Sequence, residues 1–255
     1  MALESIPDFA ASIRDYLRRS PWRNFPDVVI HAEEAVVKKH PLYIAAKWGD
    51  ITAAEELVLE TVSLSSMDRV CRLVENERPF LFPVHAIETE VRNPIPTTLA
   101  RILARLLDLP LEDQVIQINR VRHTGADGWH RLAFPALFDG AVKEGKYLLV
   151  DDFIGQGGTL ANLKGFLEGR GAEVIGATTL TGKAYSAQLR LSDATLQGLR
   201  NKHGSDLERW WLDTFGYGFE RLTESEARYL TRADNADTIS ARIVAARPPG
   251  DPRIP

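Results

Sequence analysis

Hydrophobic residues in the first quarter of the chain recur at helical spacing. Ile6, Phe9, Ile13 and Leu17 share one face and predict an amphipathic helix within 1–24 that ends before Pro21. A second helix is predicted from Pro41, and a third after Asp50, an N-cap residue ahead of Ile51, Ala54, Leu57 and Val58. A fourth, over 66–76, carries Met67, Val70, Leu73 and Val74. From residue 80 the pattern changes. Phe80 to Val84 is a short, wholly apolar run, as expected of a strand buried on both faces. Leu99, Ile102, Leu103 and Leu106 mark a helix over 97–107, and Val115–Ile118 reads as a second strand. Residues 122–131, rich in Gly, His and Arg, read as a long loop. Tyr147–Val150 is a third strand, 158–169 a helix closed by Gly171, and Val174–Leu180 a fourth strand. Helices then resume, with Ser192 and Ser205 as caps and Thr223–Glu226 as a capping box, before a proline-rich tail.

Strand, helix and strand with short connections make a βαβ unit. The expected fold class is therefore α/β, a parallel sheet with helices on both faces and helical segments at either end. The expected division is an N-terminal helical segment (1–78), an α/β core (79–184), a C-terminal helical segment (185–246) and a disordered tail (247–255). Pro41–Asp50 superficially looks like part of an ankyrin repeat, but one copy cannot bury its faces, so it reads as a helical hairpin packed on the core.

Composition narrows the function classes. Apolar residues make up 44% and charged residues 26% of the chain, which argues against whole-chain disorder. The formal charge of −4 argues against a polybasic nucleic-acid or membrane binder. No run approaches a membrane span, and Glu4 and Asp8 stand where a signal peptide carries positive charge, so a soluble cytoplasmic protein is expected. Cys71 is the single cysteine, which leaves no disulfide and no cysteine-based metal site; on its helix it reads as a buried small apolar residue.

The chemistry concentrates in residues 147–160. A buried strand ends at Asp151 and Asp152, the glycine-rich loop Gly155-Gln156-Gly157-Gly158 follows, and Thr159 opens a helix. Such a loop gathers backbone N–H groups at the positive end of a helix, which suits a phosphate. Two adjacent acids at the strand's carboxyl end can accept hydrogen bonds from vicinal hydroxyls. Together they describe a phosphorylated sugar lying across the loop. The segment is neither a dinucleotide fingerprint, lacking GxGxxG, nor a P-loop, lacking GK[ST].

This stretch resembles the signature of type I phosphoribosyltransferases that binds phosphoribosyl pyrophosphate (PRPP). By that resemblance Asp151 and Asp152 correspond to the acids on the ribose hydroxyls, and are the expected catalytic pair. Residues Gly155, Gln156, Gly157, Gly158 and Thr159 correspond to the 5′-phosphate loop. The resemblance extends over roughly 79–184. Phe82-Pro83-Val84 resembles the first core strand, whose end handles pyrophosphate. Arg92-Asn93 and a hood-like loop over 120–138, ending in Phe138, are similar to the competence-associated branch, although this chain lacks that branch's cysteine zinc module. Two positions depart from the family pattern. Gly155 cannot supply the acid that purine-salvage members place there, and Gln156 is longer than the usual Thr or Ser.

The resemblance implies Mg²⁺-PRPP as donor, an oxocarbenium-like transition state, pyrophosphate as leaving group and Mg²⁺ held mostly by substrate oxygens near Asp151 and Asp152. His85, Arg92, Arg122, Arg131 and Lys183 are the candidate pyrophosphate or acceptor contacts, with Arg120, His123 and His130 in the same basic loop. A non-catalytic PRPP or nucleotide sensor acting through the helical flanks is the competing reading, favoured by Gly155 and Gln156. A third, weaker one is an interaction module on the helices around 41–64 and 192–246. Partners are expected to be small molecules, with no membrane or nucleic acid. The aromatic patch at Trp210, Trp211 and Phe215–Phe219 is read as core or as the seam of a homodimer.

Overall fold

The computed structural model describes residues 17–84, 93–119 and 127–246. Its centre is a four-stranded parallel sheet. In chain order the strands are β1 (Val29–Glu33), β2 (Phe80–Pro83), β5 (Lys146–Ile154) and β6 (Glu173–Gly182), arranged β1-β6-β5-β2. Short β3 (Val115–Gln117) and β4 (Phe138–Gly140) form a separate antiparallel pair.

Strand β5 shows why the sheet is central. Its successive side chains point to opposite faces, and both faces are apolar. Leu148 and Val150 pack with Leu81 and Leu180 against Leu57 of α3 (Ile51–Thr61), Val70 of α4 (Leu64–Val74) and Leu99 of α5 (Ile95–Leu107). Tyr147 and Leu149 pack with Phe82 and Ala177 against Leu160, Leu163 and Phe166 of α7 (Gly158–Glu168). Helices therefore cover both faces, as the pattern predicts. A third core gathers Trp211 and Phe215 of α8 (Asp193–Phe215), Ala227 and Leu230 of α9 (Glu224–Thr231) and Ile239 and Ile243 of α10 (Ala236–Ala246).

Several sequence expectations are corrected. Val29–Glu33, placed within a helical segment, is a strand on the β6 edge, pairing Val29 with Thr178 and Glu33 with Gly182. Val115–Gln117 is not a neighbour in the parallel sheet; the parallel contact beside β2 is a single bridge from Leu81 to Leu111. Residues 18–28 are irregular, so the described end of the helix expected over 1–24 is not helical. The long loop contains α6 (Gly128–Ala133), capped by Asp127, whose carboxylate accepts the His130 N–H at 2.8 Å. Cys71 is exposed on α4, not buried. Ser205, read as a helix cap, lies inside α8, one residue after the kink at Gly204. The aromatic patch resolves as core, since Trp211, Phe215, Tyr217 and Phe219 are all buried.

Other local readings hold. After α1 (Glu34–Lys38), the hairpin of α2 (Tyr43–Lys47) and α3 turns at Trp48-Gly49, and Asp50 caps α3 by accepting the Ala53 N–H at 2.9 Å. Thr223 and Glu226 form the capping box of α9. Ser192 caps α8. No described helix is long and apolar enough to cross a membrane.

Candidate active site

The site lies where β5 runs out of the sheet. Its parallel pairing with β6 continues past both acids, from Asp151 opposite Thr179 to Ile154 opposite Gly182, so the sheet itself fixes the Asp151 and Asp152 backbone. Residues 155–157 then turn into α7. Gly157 makes that turn with φ of +81°, and a methyl there would lie 2.2 Å from Leu189 Cδ2. The conformation and the packing both demand glycine. The loop sits at the N-terminus of α7, where unpaired N–H groups favour an anion.

The two acids are held differently. Asp151 is buried; that burial, together with the charge of Asp152, raises its pKa well above the ordinary carboxyl value. Asp152 is half-buried, and the ammonium of Lys47, its ion-pair partner, and the Asn93 amide, 3.0 Å away, outweigh desolvation and hold its pKa down. Burial by itself would lower the pKa of Lys47; Asp152 reverses that and keeps it firmly cationic. One of the pair thus favours the neutral form and the other stays ionised, the pattern of two acids made inequivalent by their surroundings.

Asp151, Asp152 and residues 155–159 line one cavity of about 190 Å³, together with Lys47, Asn93 and Arg131. Arg131 Nη1 lies 2.7 Å from where a Cβ at position 155 would sit, which puts the guanidinium against the glycine loop. Burial lowers its pKa. Gln156 has a buried Oε1 without a hydrogen-bond partner among the described residues, while its carbonyl accepts the Thr223 hydroxyl at 2.6 Å.

Behind the loop lies an ion pair that no motif announced. Arg19 donates through Nη1 to Glu226 Oε2 at 2.5 Å, through Nη2 to Oε1 at 2.9 Å and through Nε to Asn162 Oδ1 at 2.7 Å. A methyl at Gly158 would lie 2.6 Å from Glu226 Oε1, so glycine lets the carboxylate approach the first turn of α7. The C-terminal helices are therefore part of the loop's scaffold.

Lys183 also lies at this edge, paired with Glu34 at 2.6 Å, and lines a second cavity. Phe138, expected at the end of a hood, is instead buried in the core on β4 and does not line either cavity. His130 stacks on Phe134 with ring centroids 4.6 Å apart and lines neither cavity. His85, Arg92, Arg120, Arg122 and His123 lie outside the described residues. Sequence reasoning missed Lys47, Arg19, Thr223 and Glu226. Thr223 and Glu226 were legible only as a capping box, and a lone Lys on a short helix carries no signal of its partner. Among the described residues no cluster of three His, Cys, Asp or Glu could cage a metal ion.

An acid pair at the end of a central parallel strand thus runs into a glycine loop at a helix N-terminus, the arrangement expected from the sequence. Residues 97–198, which include the acids and the loop, match the phosphoribosyl transferase domain. It is 39% identical to Protein TraN of Escherichia coli over 230 residues, 90% of this chain and 51% of that one. It is 40% identical to an uncharacterized protein of Haemophilus influenzae over 151 residues, 58% of this chain and 34% of that one. The chain thus spans about half, or a third, of these relatives' length. Among solved structures it is similar to adenine phosphoribosyltransferase from Thermoanaerobacter pseudethanolicus, with a TM-score of 0.32 and 17% identity over 51% of this chain and 74% of that one.

Proposed function

We propose that this chain transfers the ribosyl phosphate of Mg²⁺-PRPP to a nitrogen acceptor in the cytoplasm, releasing pyrophosphate, as a glycosyltransferase of nucleotide metabolism. The observation that carries the reading is the shared cavity of Asp151, Asp152 and the Gly155–Thr159 loop. In this reading the loop N–H groups hold the 5′-phosphate, with Arg131 beside them. The acids accept the ribose hydroxyls and face the ring as positive charge develops on it, so their contribution grows toward the transition state. Asp151 and Asp152 fit an ion carried in by the substrate better than a resident one: Asp152 is already engaged by Lys47 and Asn93, and Asp151 beside it does not make a cage. Mg²⁺, arriving with PRPP, would neutralise the leaving pyrophosphate.

The sensor reading has its own support. Thr223 grips the Gln156 carbonyl and Glu226 abuts Gly158, so occupancy of the loop is coupled by contact to the C-terminal helices. Pyrophosphate release over a panel of nucleobases and small amines separates the two readings. The proposed enzyme gives PRPP-dependent release with at least one acceptor, and Asp151→Asn and Asp152→Asn lose turnover beyond their loss of PRPP affinity. Tight PRPP binding with no release across the panel would favour the sensor.

A further inference from the structure

We infer that the outer face of the α2–α3 hairpin and α5 seats a second copy of this chain, related to the first by a twofold axis. The aromatic patch at Trp211 and Phe215–Phe219 is spent on the core of one chain and cannot serve as a seam. The exposed apolar side chains lie elsewhere. Ile44 on α2 and Trp48 at its C-terminal cap stand one turn apart, and Ile51 and Leu59 stand two turns apart on α3. α3 packs beside α5 over the same face of the sheet, and α5 turns Leu106 to solvent one turn after the half-buried Ile102. Ile44, Trp48, Ile51, Leu59 and Leu106 are each 54–67% exposed. Large apolar side chains exposed in file, rather than singly, mark a contact surface.

The charges on this face say what covers it. Glu55 lies one turn from both Ile51 and Leu59, with Glu56 beside it; on α5, Arg101 and Arg105 lie one turn apart, beside Ile102 and Leu106. All four charged residues are exposed, and none has an ion pair among the described residues. Their neighbours are already engaged: Glu60 by His40 at 2.9 Å, and Asp108, just past α5, by Arg78 at 3.5 Å. One helix of the face is therefore acidic and the next basic, each with charge left over.

Such a face is complementary to itself. A twofold axis sets α3 of one copy on α5 of the other and, by the same operation, α5 on α3. Glu55 and Glu56 then meet Arg101 and Arg105 twice, around a centre of Ile51, Leu59, Ile102 and Leu106. A partner of one sign fits less well, because α3 repels an anionic surface and α5 a cationic one. The contact also reaches toward the acid pair. Tyr43 and Lys47 line the acid-pair cavity from the side of α2 next to Ile44 and Trp48, so a copy seated there braces the helix that holds Asp152.

Sedimentation equilibrium of the whole chain and of charge-reversed variants tests the face. The wild-type chain is expected to dimerise, and less tightly as salt rises. Reversing α3 (Glu55→Arg, Glu56→Arg) or α5 (Arg101→Glu, Arg105→Glu) should weaken self-association at least tenfold. All four changes together should return it to within about threefold of wild type. The α3 and α5 variants should also associate with each other when mixed, a recovery that misfolding cannot mimic. A wild-type chain that stays monomeric from micromolar to submillimolar concentration would leave the face to another partner and overturn the inference. Dimers that survive reversal of either helix would place the seam elsewhere and overturn it too. So would a four-change variant, or a mixture, that stays apart.

Discussion

Arg19→Met removes the cation behind the glycine loop and leaves Glu226 where it is. The side chains of Arg19 and Glu226 are only 3% and 4% exposed, so the carboxylate left behind is a buried charge. It keeps the Thr223 N–H at 2.9 Å but loses two guanidinium hydrogen bonds, and Asn162 Oδ1 loses its donor. Breaking a buried pair on one side costs about 3–5 kcal/mol, whereas replacing both partners by apolar groups is often near neutral. Glu226 also completes the α9 capping box, so the double variant Arg19→Met, Glu226→Leu still forfeits a cap, about 0.5–2 kcal/mol. The double variant is therefore expected to be more stable than Arg19→Met alone, a non-additivity of about 2 kcal/mol or more. Urea unfolding measures it: with a slope near 3 kcal/mol/M, Arg19→Met lowers the midpoint by about 1–1.7 M. A single-variant cost below about 1 kcal/mol, or a double variant no better than the single, would refute a buried, unshielded pair.

The other predictions concern the loop, the acids and the core histidine. Gly157→Val must adopt a φ of +81° and fit a Cβ 2.2 Å from Leu189 Cδ2, so it should lose binding of PRPP and nucleoside monophosphates; unchanged affinity by calorimetry would clear the loop of that role. Lys47→Met should cost about 1.5–3 kcal/mol at pH 7, the worth of hydrogen bonds to a charged group. Because Lys47 holds the pKa of Asp152 down, the stability it confers is present above about pH 4 and is lost as pH falls through the folded-state value. Unfolding free energies of the two proteins should therefore converge in acid, and parallel curves would contradict the pairing. His31, buried between Ser66 and Thr178, is shifted down from 6.5 to about 4 by desolvation and by the Arg69 charge. Its neutral form confers stability that is full above pH 6.5 and lost as pH falls toward 4, so His31→Gln should flatten the pH dependence across that window.

What was legible in the sequence follows from how local its cause is. Tyr147–Val150 announced a strand buried on both faces because a short apolar run between turn signals fits one, and the acid pair and glycines after it marked the sheet edge where the candidate site lies. Capping of α3 by Asp50 and the capping box of α9 depend on neighbours three residues apart, so pattern alone reveals them. Val29–Glu33 escaped because its apolar pattern is interrupted by His31 and Glu33, and its partner β6 lies more than a hundred residues away. Lys47 and Arg19 escaped for the same reason: their partners, Asp152 and Glu226, are distant in sequence, and only the fold brings them to the loop. Val115–Gln117 was correctly a strand but wrongly assigned to the sheet, since three residues carry no information about the partner they choose.

Calorimetric titration of PRPP with Mg²⁺ into the wild-type protein and its Asp151→Asn and Asp152→Asn variants tests the central claim most directly. At Asp152, which stays ionised, Asn keeps an acceptor but loses the charge, and a hydrogen bond to a charged group is worth about 1.5–3 kcal/mol, so that variant should bind roughly ten- to a hundredfold more weakly. Asp151→Asn, at a carboxyl that favours the neutral form, should weaken binding by less. PRPP that fails to bind the wild-type protein, or binds the Asn variants undiminished, would contradict the account.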